Sequence, residues 1–132
     1  MKRQILAFAV CAASLLIASC GDDSSGSKDT KGVIAYSAKD LSNPFFNIIG
    51  DTLKKEAAKH GYEVIVVDGA DKAETQDRQI DDFITKKVKA IVVSPCESEN
   101  AGASIRKAND AGIPVFTVDV ACTDKTAKVV GH

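Results

Sequence analysis

Four short runs rich in Val and Ile constrain this chain most: GVIAYSA (32–38), YEVIVVDG (62–69), KAIVVSP (89–95) and IPVFTVD (113–119). They are nearly continuous in apolar residues rather than alternating, and stretches with helical period separate them. A strand with one wet face alternates, so a continuous apolar strand must be covered on both faces. That is the habit of parallel strands joined by crossover helices. The predicted order is therefore β-α-β-α-β-α-β, with a further strand beginning at AKVVGH (127–132). Right-handed crossovers make this an α/β fold with an open, doubly wound, mostly parallel sheet.

The connecting segments agree with that reading. Asn43 is suited to cap the first helix and Pro44 to occupy its first position, while Gly61 closes it after Lys59 and His60. Phe46, Ile49, Leu53 and Ala57 fall on one stripe. The second helix is expected over about 72–87, with Ala73, Gln76, Ile80, Phe83 and Ile84 inward. Acids Asp71 and Glu74 at its start and Lys86 and Lys87 at its end match the helix dipole. The third is expected over about 98–111, with Ala101, Ile105 and Ala108 inward and Gly112 as its stop before Pro114.

In sheets of this kind ligands bind beyond the carboxyl ends of the strands. Those ends read AKDLSNPFF, DGADKAE, SPCESE and DVACTDK. Neither G-x-G-x-x-G nor G-x-x-x-x-G-K-[ST] is among them, so no nucleotide or other cofactor is expected. Successive helical residues diverge by about 100°, so Phe45 and Phe46 cannot both point inward. Phe46 lies on the core stripe and Phe45 at the mouth of the crevice, where an aromatic face suits the C–H face of a sugar or another flat apolar ligand. Asp119 ends its strand in the same crevice. An ionised carboxylate accepts several hydrogen bonds and donates none, which is what a vicinal diol requires, although the same residue type also serves turns and caps. Ser94, closing the third strand, adds a hydroxyl.

The amino end has a different character. Lys2 and Arg3 precede a 13-residue apolar run from Ile5 to Ile17, followed by small residues, so 1–19 reads as a secretory signal too short to span a bilayer stably. IASC at 17–20 resembles a bacterial lipobox, which implies that Cys20 becomes a lipidated amino terminus holding the protein on a membrane. Residues 20–31 then form a flexible, lipid-anchored tether, with a reach of about 18 Å by random-coil scaling. The folded part is 32–132. Formal charge is 17 basic against 18 acidic residues; losing Lys2 and Arg3 leaves 15 against 18, or −3. A basic face, the footprint of nucleic-acid binding, is not expected. With Cys11 removed and Cys20 lipidated, Cys96 and Cys122 remain. They follow neighbouring strands, so an exported protein could bridge them if their Cα atoms approach within about 7 Å.

Taken together, SNPFF (42–46), the segment EAAKHGYEVIVVDGADKAETQDRQIDDFITKKVKAIVVSP (56–95), ANDAGIPVFTVD (108–119) and AKVV (127–130) resemble the first lobe of the periplasmic sugar-binding proteins of the ribose-binding type, type I solute-binding proteins that deliver sugars to ABC importers. The resemblance runs from about residue 32 to 132. It implies ligand contacts from Asn43, Phe45, Phe46 and Asp119 and, by position, Ser94. It implies a pentose or hexose as ligand, an ABC permease as partner, and a location facing the periplasm or cell exterior. Lys39 stands where that family has a small hydroxyl residue, Val120 where it has an arginine, and Ser94 where Asn is common. These departures point away from ribose itself while keeping a polyol-like ligand, with Lys39 as a substitute donor. The family also has a second lobe of similar build, so a truncated product or fragment carrying half a cleft is expected.

No catalytic site is expected. A receiver-type phosphorylation site would need clustered acids after the first strand and an Asp after the third, where SAKDLS and SPCES stand. The two histidines, His60 and His132, lie at a predicted helix end and at the last position, which leaves no His-based dyad or metal cluster. A sugar-responsive repressor is disfavoured by the signal. A sugar-sensing co-receptor for a membrane kinase or chemoreceptor, or an inactive gene fragment, stays open beside transport.

Overall fold

Val33–Ala38 forms β1, the strand on which the sheet is built: it pairs in parallel with β2 (Glu63–Asp68) on one side and with β3 (Ala90–Val93) on the other. β4 (Val115–Thr117) pairs with β3, giving the order β2-β1-β3-β4. The computed structural model describes residues 30–132. The signal (1–19), Cys20 and all but the last residues of the tether lie outside them.

The helices cover both faces, as a continuous apolar strand requires. On one face Tyr36, Ala38 and Val92 pack with Phe46 of α1 (Pro44–Lys59), joined by half-buried Ile49, Leu53 and Val66. On the other, Ala35, Ile91, Val93 and Val115 meet Ile80 and Phe83 of α2 (Ala73–Thr85) and Ile105 and Ala108 of α3 (Ala101–Asp110). The sheet is doubly wound, as its sequence pattern predicts. Fully covered side chains such as Phe83 and Ile105 each contribute roughly 1.5–3 kcal/mol relative to exposure.

The three helices of the described residues stop by one device. Tyr62 N–H donates to Ala57 C=O and Gly61 N–H to Ala58 C=O, with Gly61 at φ +81°. Val88 and Lys87 repeat the pattern on Phe83 and Ile84, and Ile113 and Gly112 on Ala108 and Asn109. These are Schellman closures, each followed by an apolar residue leading into the next strand. At the end of α2 the left-handed position is Lys87, φ +54°, which is why the helix stops at Thr85 rather than 87. α3 starts at Ala101 rather than 98 because Ser98 is drawn off: its hydroxyl donates to Ala121 C=O and its carbonyl accepts from Thr123 N–H.

Of the further strand expected over 127–132, one parallel bridge forms, Phe116 with Gly131, flanked by Val130 N–H to Val115 C=O at 2.8 Å. The sheet thus begins a fifth position beside β4. Among the described residues no helix is long and apolar enough to cross a membrane.

Candidate functional site

Four loops meet at the carboxyl end of the sheet, and each is stiffened by local hydrogen bonds before any ligand is considered. After β1, Asp40 accepts from the Ser42 amide (2.8 Å) and hydroxyl (2.9 Å), which hold its carboxyl below the usual range. Asn43 caps α1: its Oδ1 accepts from Phe45 N–H at 3.0 Å, and Pro44 follows. Asn47 ties the turn back through Leu41 C=O at 2.8 Å. The Asn-Pro turn therefore aims the two aromatic rings, and the cap leaves the Asn43 amide nitrogen as its free polar group.

The rings divide as helical geometry demands. Phe46 is 5% exposed within the α1-face core, whereas Phe45 is 48% exposed. They touch edge to face, with centroids 5.2 Å apart at 76°. Phe46 therefore props Phe45 from below rather than presenting its own face, which departs from the expected contact by both rings. Ser94 departs as well. It is fully covered, with its Oγ 2.9 Å from the Tyr36 hydroxyl and its carbonyl accepting from Gln76 Nε2 at 2.9 Å. The hydroxyl expected at the mouth lies one layer beneath it.

Asp119 is exposed and sits at φ +69°. Val120 N–H donates to Val118 C=O at 2.9 Å, so Asp119 is the apex of a γ-turn of the rare positive-φ form. Val118 N–H bonds to Val93 C=O at 3.0 Å, which fixes the base of the turn on β3 beside Ser94. The Asp119 carboxylate makes no hydrogen bond or ion pair among the described residues. Its charge reaches inward nonetheless. Burial raises the Tyr36 pKa, the Ser94 hydrogen bond opposes that, and the negative Asp119 adds to it.

Lys39 projects from the end of β1 with its Nζ 3.6 Å from an Asp71 oxygen, a loose and partly exposed pair. Its carbonyl accepts from Asp71 N–H at 2.8 Å, joining the β1 and β2 loops. Asp68 repeats the link from the other side, accepting from Leu41 N–H (3.0 Å) and Ala70 N–H (2.8 Å). Gly69 permits this close approach, since a Cβ there would stand 2.6 Å from Ala38 oxygen.

Cys96 and Cys122 are separate thiols, so the bridge that their neighbouring strands would have allowed is not formed here. β3 and β4 are neighbours, but Cys96 turns toward β1, its Sγ 3.8 Å from Lys39 oxygen, while Cys122 faces Asp124 oxygen at 4.0 Å. Burial, reinforced by Asp71, pushes the Cys96 thiol up to about 11.

Sequence reasoning placed Gln76 inward without seeing its task. Its Nε2 donates to Ser94 C=O (2.9 Å) and Ser37 Oγ (3.2 Å), and its Oε1 accepts from Cys96 N–H (2.8 Å). Gln79 adds a bond to Asp68 C=O at 2.6 Å. Two glutamines on an otherwise apolar helix stripe were the available signal. No group of three or more metal-ligating side chains converges among the described residues. A shallow hollow of about 370 Å³ lies at this end among Asp71, Lys72, Glu74, Glu97 and Asn100, and one of about 510 Å³, lined by Ile84, Val88 and Ile113 among others, lies at the opposite end of the sheet.

The family model described as periplasmic binding protein domain matches residues 34–131, which hold the whole of this parallel sheet except its first residue. The chain belongs to that family. As a periplasmic binding protein domain it is 33% identical to the ribose import binding protein of Escherichia coli (strain K12) over 102 residues, 77% of this chain and 34% of that protein. It is 35% identical to the ribose import binding protein of Bacillus subtilis (strain 168) over 86 residues, 65% of this chain and 28% of the other. Among solved structures, a Caulobacter myo-inositol binding protein bound to myo-inositol superposes with a TM-score of 0.72 at 25% identity, covering 79% of this chain and 35% of that one. An ABC transporter periplasmic solute binding protein from Actinobacillus succinogenes with bound D-allose gives 0.67 at 32% identity, covering 74% and 35%. The chain spans about a third of the length of these relatives.

Proposed function

We propose that this periplasmic binding protein domain is the first lobe of an extracytoplasmic receptor that hands a sugar or related polyol, pentose or hexose, to an ABC-type importer without altering it chemically. The reading includes export and a lipid anchor on Cys20. One observation carries it: the Phe45 ring, propped by Phe46 but half exposed, and the exposed, unpaired Asp119 carboxylate both stand at the carboxyl end of the sheet, in a domain whose relatives bear the names of sugar-binding proteins.

The roles follow from the chemistry of each group. Phe45 stacks on the C–H face of the ring, and burial of that apolar face drives the contact. Asp119 accepts from two adjacent hydroxyls, and charge makes these bonds stronger than neutral ones. Lys39 releases Asp71 to donate to a ligand oxygen, the loose 3.6 Å pair making that exchange inexpensive. Asn43 offers its amide nitrogen. Phe46 supports Phe45, and Ser94 acts through Tyr36 on the floor. A single lobe leaves the far side of the sugar in water, so affinity requires a second lobe.

The test is a hybrid in which residues 32–132 replace the matched lobe of the Escherichia coli ribose import binding protein, titrated calorimetrically with pentoses, hexoses and inositol. At least one of these is expected to bind, and Asp119→Ala and Phe45→Ala each to weaken it by about tenfold or more. Unchanged affinity in both variants removes the site assignment.

A further inference from the structure

Because all four strands are parallel, their amino ends share one pole with the carboxyl ends of α1, α2 and α3, opposite the candidate site. Helix carboxyl ends carry negative partial charge and favour cations. Lys59, Lys86 and Lys87 lie at those ends, and Lys31 and Lys89 precede β1 and β3. Lys59 is committed to Glu56 at 2.7 Å. Lys31, Lys86, Lys87 and Lys89 make no ion pair among the described residues, and Lys31 stands 5.9 Å above the Tyr62 ring. The acids on this pole are Glu56, held by Lys59, Glu63, which opens β2, and Asp110, which ends α3, with Asp82 one turn above Lys86 and its neighbour Asp81 held by Lys107. The site pole is the reverse, with Asp40, Asp68, Asp71, Glu74, Glu97 and Asp119 outweighing Lys39 and Lys72.

Two further observations concern the same pole. The 510 Å³ hollow opens here, its floor of Ile84, Val88 and Ile113 rimmed by Lys87 and Lys89. Lys31 N–H donates to Gly61 C=O at 2.8 Å, which fixes the first described residues of the chain at this end. Exposed ammoniums on long aliphatic stems around an apolar hollow complement an anionic bilayer surface: the heads meet phosphates while the stems and hollow tolerate the ester region.

We propose that this basic pole rests on an anionic phospholipid surface, which turns the candidate binding face outward to the solution. The inference rests on the lipid-anchor reading, because the anchor is what holds the pole within reach of the surface.

The full chain is incubated with an excess of phosphatidylcholine vesicles, with or without added phosphatidylglycerol, and labelled with a small amine-reactive reagent whose sites are read by peptide mass spectrometry. Labelling at Lys86, Lys87 and Lys89 is expected to slow by about fivefold on the anionic vesicles, the factor one lysine gains near such a surface, relative to Lys72 and Lys125. High salt is expected to restore it, and Lys86→Gln with Lys87→Gln to release Lys89. Equal labelling on both vesicles, or equal protection of Lys72 and Lys125, overturns the proposal. The mass of the Cys20 peptide in the same digest tests the anchor separately: an unlipidated Cys20 refutes the anchor reading, whereas a lipidated Cys20 with unprotected lysines refutes only the resting pole.

Discussion

Replacing Asp119 separates what it gives the fold from what it gives a ligand. At φ +69° and the apex of a positive-φ γ-turn, it occupies backbone space that costs a non-glycine residue roughly 1–3 kcal/mol. Asp119→Gly relieves that strain but gains about 0.5–1 kcal/mol of backbone freedom in the unfolded chain. The balance favours the glycine variant by about 1 kcal/mol, a rise in Tm of roughly 4–8 °C for a domain of this size. Asp119→Ala keeps a Cβ in the left-handed region and loses the aspartate's tolerance of it, so it should lie about 1–2 kcal/mol below Asp119→Gly. Both lose the carboxylate and, in the hybrid receptor, should lose affinity alike. Urea and thermal unfolding by far-UV circular dichroism, with calorimetry on the hybrid, supply the two axes. Alanine and glycine variants unfolding at the same midpoint would show that the turn stores no strain.

Three other expectations use the same measurements. Gly69→Ala should destabilise by about 1–3 kcal/mol, because its Cβ would meet the Ala38 carbonyl at 2.6 Å and cannot be relieved by a rotamer change; wild-type stability would contradict the reasoning. Tyr36→Phe leaves Ser94 Oγ buried without its partner and should cost about 1–3 kcal/mol, while Tyr36→Phe with Ser94→Ala should recover part of the loss; strict additivity would show the two hydroxyls to be uncoupled. Cys96, whose thiol is raised from 9.0 to about 11, should alkylate at pH 8 roughly a hundredfold more slowly than an unperturbed thiol. Since the unfolded thiol ionises first, its contribution to stability is intact below about pH 9 and is lost as pH rises through about 11; a Cys96→Ser variant with the same alkaline profile would refute that assignment.

The sheet was legible because burial on both faces writes itself into composition: residues 33–38 and 90–93 have no polar alternation to misread. The cap at Asn43 and the stops at Gly61 and Gly112 were legible because local chemistry decides them. Lys87 in a left-handed cap was not, since only the packing of Val88 onto Phe83 and Ile84 forces it there. Asp119 was read as a strand-end carboxylate, but its γ-turn was invisible, because one long-range bond from Val118 to Val93 fixes the turn. The orientations of Ser94 and of the two cysteines were not legible for the same reason. Which way a short side chain turns at a strand end depends on neighbours dozens of residues away, here Tyr36 for Ser94 and Lys39 for Cys96.

The loop cross-links are unevenly distributed. Lys39, Asp68 and Gln76 yoke the first three strand ends together, whereas the fourth is held at Val118, with Ser98 grasping Ala121 and Thr123 further on. Residues 119–120 between those moorings are thus the part of the rim that can be rewritten with least disturbance elsewhere. Under the proposed sugar-binding role, a change of ligand would be accommodated there first, with the aromatic turn left as it stands.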